Sequence, residues 1–198
     1  MADHMVEAVE PTVIFLTGFM GAGKTTVGRE LARALGWSFI DLDSLIEAKG
    51  GKKISQIFDE RGEAEFRKLE TQALREVLAT SDPESHKEEP EPMVVALGGG
   101  VFAQETNRQL IREHGGKVVY LEVGLQEALR RCEQVKLSRP LLKDEKLTAE
   151  LMETRRPFYE TSDLKVKTDG QLVSNVVQQI CSQLNLNPCT QEAELSSA

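Results

Sequence analysis

A short apolar run, Val13-Ile14-Phe15-Leu16, leads into Gly18-Phe19-Met20-Gly21-Ala22-Gly23-Lys24-Thr25-Thr26. A helical pattern follows, with Val27, Leu31, Ala34 and Leu35 on one face and Gly36 as a stop. Strand, glycine-rich loop and helix, in that order, constrain this chain more than any other feature. The string G-x-x-x-x-G-K-[ST] gains physical meaning in that context, because the loop's N–H groups and the helix N-terminus can surround phosphates. Lys24 then reaches the β and γ phosphates, and the Thr25 hydroxyl can ligate Mg²⁺. A tight strand-to-helix connection is the bland alternative.

Strands are expected at 12–17, from Ser38 to Asp41-Leu42-Asp43, and at 93–97, 117–121 and 163–167. Helices are expected across 44–80, broken at Gly50-Gly51 and Gly62, and over 104–114, 125–133 and 145–160. Leu172, Val176, Ile180 and Leu184 mark one face of a last helix. The strands are continuous apolar runs that alternate with helices, which predicts a parallel sheet covered on both faces. Right-handed crossovers then place a ligand beyond the carboxyl ends of the strands. The phosphate loop, Asp41/Asp43 and Gly98-Gly99-Gly100 all fall at such ends.

One domain over residues 12–185 fits the length of 198. Residues 1–11 and 186–198 read as solvated tails, and the acidic, Pro-rich segment 81–92 as an exposed surface loop. The net charge of −8 argues against general nucleic-acid binding. No apolar stretch approaches a membrane span, and the N-terminus resembles neither a secretory nor an organellar signal, so a cytoplasmic location is expected. Cys132, Cys181 and Cys189 have no metal-like spacing and read as reduced thiols.

Several polar residues can carry chemistry. Asp41 and Asp43, on an extended segment, would point the same way. One can support Mg²⁺ and the other can accept hydrogen bonds from substrate hydroxyls or take a proton. The competing reading makes Asp43 a helix N-cap. Arg67, in Phe66-Arg67-x-x-Glu70, has a plain alternative as a surface arginine paired with Glu63 or Glu70. Three successive glycines make sense where something must approach the main chain closely. Arg139 lies in a polar segment, about 133–144, that can fold over nucleotide as a lid and stabilise a transferring phosphoryl group. Arg155 precedes Pro157 and Tyr159.

Taken in order, Gly-x-x-Gly-x-Gly-Lys-Thr-Thr, Asp-x-Asp, Phe-Arg-x-x-Glu, Gly-Gly-Gly, Arg-Pro-Leu-Leu and Arg-x-Pro-x-Tyr resemble the shikimate kinase family over residues 12–185. The resemblance implies an α/β fold of the P-loop NTPase type, a parallel sheet sandwiched between helices with a mobile lid. It implies transfer of the γ-phosphoryl of ATP to the 3-hydroxyl of shikimate, a step of aromatic amino-acid biosynthesis. By matching motifs, Gly21, Ala22, Gly23, Lys24, Thr25 and Thr26 would surround the phosphates. Thr25, with Asp41 through water, would hold Mg²⁺. Asp43, Arg67, Gly99 and Arg155 would bind shikimate within and beyond a segment at about 43–75. Lys24, Asp43 and Arg139 would serve catalysis, and Gln171 would join Arg139 on the ATP side. A monomer without nucleic-acid or membrane partners is expected.

The chain departs from the family in places. Leu97 stands where Thr or Ser is frequent. The position seven before Arg139 is Cys132, so the place beside the nucleobase falls to Arg130, to Arg131 or to neither. Competing readings are another small-molecule kinase such as a gluconate kinase, a relative that binds nucleotide without turnover, and a GTPase switch. The last lacks an Asn/Thr-Lys-x-Asp string.

Overall fold

Every residue of the strand Val13–Thr17 (β1) is buried. Phe15 and Leu16 point to opposite faces of the sheet, and neither exposes any surface. A strand with that profile must be covered on both sides, and the computed structural model, which describes residues 12–80, 91–134 and 144–189, covers it with helices.

The remaining strands are Ser38–Asp41 (β2), Met93–Ala96 (β3), Lys117–Glu122 (β4) and Leu164–Lys167 (β5). Their order is β2-β3-β1-β4-β5, and all neighbours are parallel. The helices are Lys24–Leu35 (α1), Leu42–Gly50 (α2), Ile54–Thr80 (α3), Glu105–His114 (α4), Leu125–Gln134 (α5), Glu145–Tyr159 (α6) and Val173–Gln183 (α7). The chain leaves β1 for the edge strand β2, returns to β3, then crosses β1 to reach β4. That reversal opens a crevice at the carboxyl ends of β1 and β3, the usual ligand position in open α/β sheets.

Helix α1 packs its buried face, Val27, Gly28, Leu31, Ala32 and Leu35, onto the sheet beside α7. It ends at Gly36, the expected stop, with φ 69°. The expected break at Gly62 is a kink within α3, where φ is 76° and ψ 172°. Just beyond it, Phe66 is buried, its ring centroid 4.6 Å from that of Phe58. The first turn of the phosphate-loop helix and the residues after the kink are thereby anchored by apolar contacts.

Two boundaries move. The C-terminal tail was expected to begin at 186, yet Leu186 is buried and the Cys189 amide donates to the Ala34 carbonyl at 2.8 Å. The packed chain therefore continues along α1 to Cys189. Leu172, expected on the buried face of the last helix, is the residue before α7 and is 70% exposed. Val176, Val177, Ile180 and Cys181 form the buried face instead. The three cysteines are free thiols. Residues 81–90 of the acidic segment and 135–143 of the expected lid, Arg139 among them, lie outside the described residues, as do the outer parts of both tails.

Candidate active site

The loop after β1 presents main chain rather than side chains. Gly21 and Gly23 have φ of 76° and 90°, values that L side chains rarely adopt. Gly23 delivers the chain directly into α1, whose first-turn N–H groups have no intrahelical acceptors and carry the positive end of the helix dipole. Ala22 is buried, whereas Thr25 and Thr26 are exposed. The Lys24 ammonium donates to the carbonyls of Gly18 and Phe19, at 2.9 and 3.0 Å, and so lies across the loop.

Asp41 closes β2 opposite this loop. Its Oδ2 accepts from Thr25 Oγ1 at 2.6 Å, and its Oδ1 from the Ser44 amide at 3.0 Å. Asp41, not Asp43, is therefore the N-cap of α2. The two carboxylates do not share an extended segment, because the helix begins at Leu42. The turn separates them: Asp41 faces the phosphate loop, while Asp43, in the first turn of α2, faces the glycines after β3.

Those glycines are the organising element of the second half of the site. A Cβ at Gly98 would collide with Asp43 Oδ1 and lie 3.2 Å from Glu70 Oε1. At Gly99 it would stand 3.4 Å from Arg155 Nη1, and at Gly100 it would be 2.7 Å from Arg67 Cζ. At Gly98 and Gly100 the missing side chain makes room for a charged one, from α2 and α3, and at Gly99 the α6 arginine lies at contact distance. Arg67 donates through Nη1 to Glu70 Oε2 at 2.7 Å, and through Nη2 and Nε to Glu63 Oε1 at 2.7 and 3.2 Å. Gln104, after the glycine turn, also donates to Glu70 Oε2, at 3.0 Å. The Glu70 side chain is only 2% exposed. Burial, opposed by Arg67 and assisted by Asp43, pushes its carboxyl up to about 7.

A third group lies beyond the loop. Arg131 donates to the Gly21 carbonyl at 3.2 Å and to the Thr168 carbonyl at 2.7 Å, tying the phosphate loop to the turn after β5. Glu127 holds both Arg130 and Arg131, and their hydrogen bonds pull its carboxyl down to about 2. Of the two candidates, Arg131 makes this bridge, whereas Arg130 bonds to Glu127 alone among the described partners, and Cys132 is buried. Gln171 sits in the same turn, its amide donating to the Lys167 carbonyl and accepting from Gln179. Leu97 is core, its amide bonded to the Leu16 carbonyl at 3.0 Å.

The structure therefore gathers Asp43, Arg67, Gly99 and Arg155 into one cluster, sets Lys24, Thr25 and Asp41 beside it, and puts Gln171 on the far side of the loop. Sequence reasoning did not assign site roles to Glu70, Gln104 or Tyr159. Glu70 was visible as the acid of Phe-Arg-x-x-Glu, and Tyr159 as the i+4 partner of Arg155. Nothing in the sequence marked Gln104, whose contact spans 34 residues.

The shikimate kinase family model matches residues 20–185. The chain belongs to the shikimate kinase family. A shikimate kinase from Chlorobium chlorochromatii is 43% identical over 182 residues, covering 86% of this chain and 90% of its own. One from Moorella thermoacetica is 40% identical and covers 86% and 92%. Among solved structures, shikimate kinase from Acinetobacter baumannii in complex with shikimate superposes with a TM-score of 0.78 at 36% identity, over 89% of this chain and 94% of that one. A Sinorhizobium meliloti gluconokinase, at 21% identity and a TM-score of 0.55, shares the fold alone. The gluconate kinase reading thus rests on a likeness of fold alone.

Proposed function

We propose that the chain transfers the γ-phosphoryl of ATP to the 3-hydroxyl of shikimate, giving 3-phosphoshikimate and ADP in aromatic amino-acid biosynthesis. The observation that carries the assignment at the level of residues is the convergence of Arg67, Arg155, Asp43 and the open glycine backbone beside the phosphate loop. Shikimate is a small ring with one carboxylate and vicinal hydroxyls. Planar, permanently charged guanidinium groups suit the carboxylate, and the Asp43 carboxylate suits the hydroxyls. Gly99 offers main chain at close range.

Gly21–Thr26 bind the ATP phosphates, with Lys24 at the β and γ positions. Phosphoryl transfer runs through a loose transition state, so positioning and charge stabilisation outweigh the need for a strong base. Asp43 orients the attacking hydroxyl and is placed to accept its proton. Arg139 is assigned to the transferring group by its Arg-Pro-Leu-Leu motif, and Gln171 and Arg131 to the nucleoside side. Thr25 and Asp41 supply a hydroxyl and a carboxylate 2.6 Å apart. Among the described residues no cluster of three or more His, Cys, Asp or Glu could hold a metal. Two hard oxygen donors beside a phosphate site fit Mg²⁺, which keeps water and phosphate oxygens in its shell. When bound, it neutralises charge on the phosphates.

We also assign the protein to the cytoplasm as a monomer without nucleic-acid or membrane partners. No helix among the described residues is long and apolar enough to cross a membrane. Light scattering at working concentration tests the monomer. For the activity, purified protein is incubated with Mg²⁺-ATP and shikimate, gluconate or no acceptor, and ADP is followed. Release with shikimate alone is expected. Release with gluconate and not shikimate overturns the assignment, and equal release in all arms removes the acceptor site.

A further inference from the structure

Three successive glycines leave the main chain free to approach a ligand, but they also leave it free to rotate. A backbone group that binds substrate must be held in one orientation, and the glycines cannot provide that themselves. The structure supplies an anchor from another element. Tyr159 closes α6 with its side chain 1% exposed, its ring centroid 5.3 Å from that of Tyr120 on β4. Its hydroxyl donates to the Gly99 carbonyl at 2.5 Å, across 60 residues of sequence. The Arg155 guanidinium, one turn earlier on the same helix face, lies close enough to that hydroxyl to oppose the effect of burial on it. Its Nη1 also lies 3.4 Å from where a Gly99 Cβ would be.

We propose that Tyr159 is a positioning residue for acceptor binding: its hydroxyl fixes the Gly99–Gly100 peptide plane and the Arg155 guanidinium relative to one another. The peptide unit is planar and trans, so pinning the Gly99 carbonyl also sets the opposite direction of the Gly100 N–H. Pro157 between Arg155 and Tyr159 carries no N–H and stands off the face they share, at i+2 and i−2. The spacing Arg-x-Pro-x-Tyr thus has a mechanical content: one residue meets the substrate, and the other fixes the surface the substrate is held against. Burial pushes the phenol up to about 12, so it stays a donor wherever the enzyme works.

This inference rests on the acceptor-site assignment above, and the test separates the two. Tyr159→Phe keeps the ring and its contact with Tyr120 and removes only the hydroxyl. Steady-state constants for shikimate and for ATP are measured in both proteins, together with the thermal midpoint. The expected result is a rise of about tenfold in the KM for shikimate, from a buried carbonyl left unpaired and a loosened guanidinium. The KM for ATP stays within about twofold of the original. An unchanged KM for shikimate overturns the positioning role. So does a parallel rise in both constants with a lowered midpoint, which marks a purely structural tyrosine. Replacing Tyr159 by 4-aminophenylalanine restores a donor at the same place and should return the KM for shikimate to within about threefold. This variant decides the matter if the phenylalanine variant does not fold, and failure to recover overturns the proposal. No shikimate turnover by the unsubstituted protein overturns the acceptor assignment and this inference with it.

Discussion

The two halves of the site are built on opposite plans. The phosphate half is local: one loop of consecutive residues, its donors mostly main chain, its single lysine laid across its own carbonyls. The acceptor half is assembled from α2, α3, α6 and the turn after β3, and its Arg67 is already paired with Glu63 and Glu70. A backbone cradle costs little to keep in shape, because the turn and the helix dictate it. A cluster of side chains must be held by partners, and those partners set its affinity and its response to pH. The phosphate half should therefore be sensitive to few substitutions, all severe. The acceptor half should be sensitive to many, graded ones.

Lys24→Met breaks the comparison at its strongest point. Removing a preorganised charge from the transferring group should lower kcat by about 10²–10³-fold, with the KM for shikimate little changed. A rapid-quench or coupled ADP assay reads it. Gly100→Ala comes next. The new Cβ would stand 2.7 Å from Arg67 Cζ, so the guanidinium must move. A displacement of about 1 Å in a positioning group costs up to about 10²-fold. The KM for shikimate should rise by about that much, while ATP affinity, measured by calorimetry, stays put. An equal loss of ATP affinity would mean that the halves are not separately built.

Glu70→Gln gives a smaller effect with a characteristic pH signature. The carboxyl rises from an ordinary 4.5 to about 7, chiefly through burial. Between these values the native state holds a proton that the unfolded chain has released, so stability falls as pH rises through that window. The glutamine variant has no such proton. Its stability relative to the original should improve between about pH 5 and about pH 8, read by urea denaturation. A difference that stays constant across that range would refute the raised value. Glu63→Gln is the mildest. Glu63 is 65% exposed, and its carboxylate engages the Nε and Nη2 edge of Arg67. A substrate carboxylate must compete for that edge. Neutralising Glu63 should tighten shikimate binding by up to about fivefold, measured as a lower KM.

The contrast also explains what was legible in the sequence. The phosphate loop, the Gly36 stop and the kink at Gly62 are local matters, decided by glycine conformation within a few residues, and each appears where the pattern placed it. The division between Asp41 and Asp43 was harder. It depends on whether β2 yields to α2 before or after residue 42, and one residue there exchanges the cap and redirects a carboxylate. The reach of the packed chain to Cys189 follows from a bond to Ala34 on α1, more than 150 positions away. Gln104 on Glu70 and Tyr159 on Gly99 are contacts of the same kind. They obey no spacing rule, because the sheet rather than the helix brings their elements together. Arg131 shows the intermediate case: a shifted motif left Arg130, Arg131 or neither open, and only the fold shows that Arg131 bridges Gly21 and Thr168.

The pairing of β1 with β3 has a consequence for the reaction itself. The ladder runs Val13 with Met93 through Leu16 with Ala96, and the Leu97 amide extends it by one more bond to Leu16. On the assignment proposed above, the donor's loop and the acceptor's glycines thus grow from adjacent rungs, and paired strands stand about 4.8 Å apart. Main-chain hydrogen bonds deep in the sheet act as a ruler between the two reactants. Evolution can retune the side chains above for grip, partner or pH without touching the gauge that keeps phosphorus and oxygen within reach of each other.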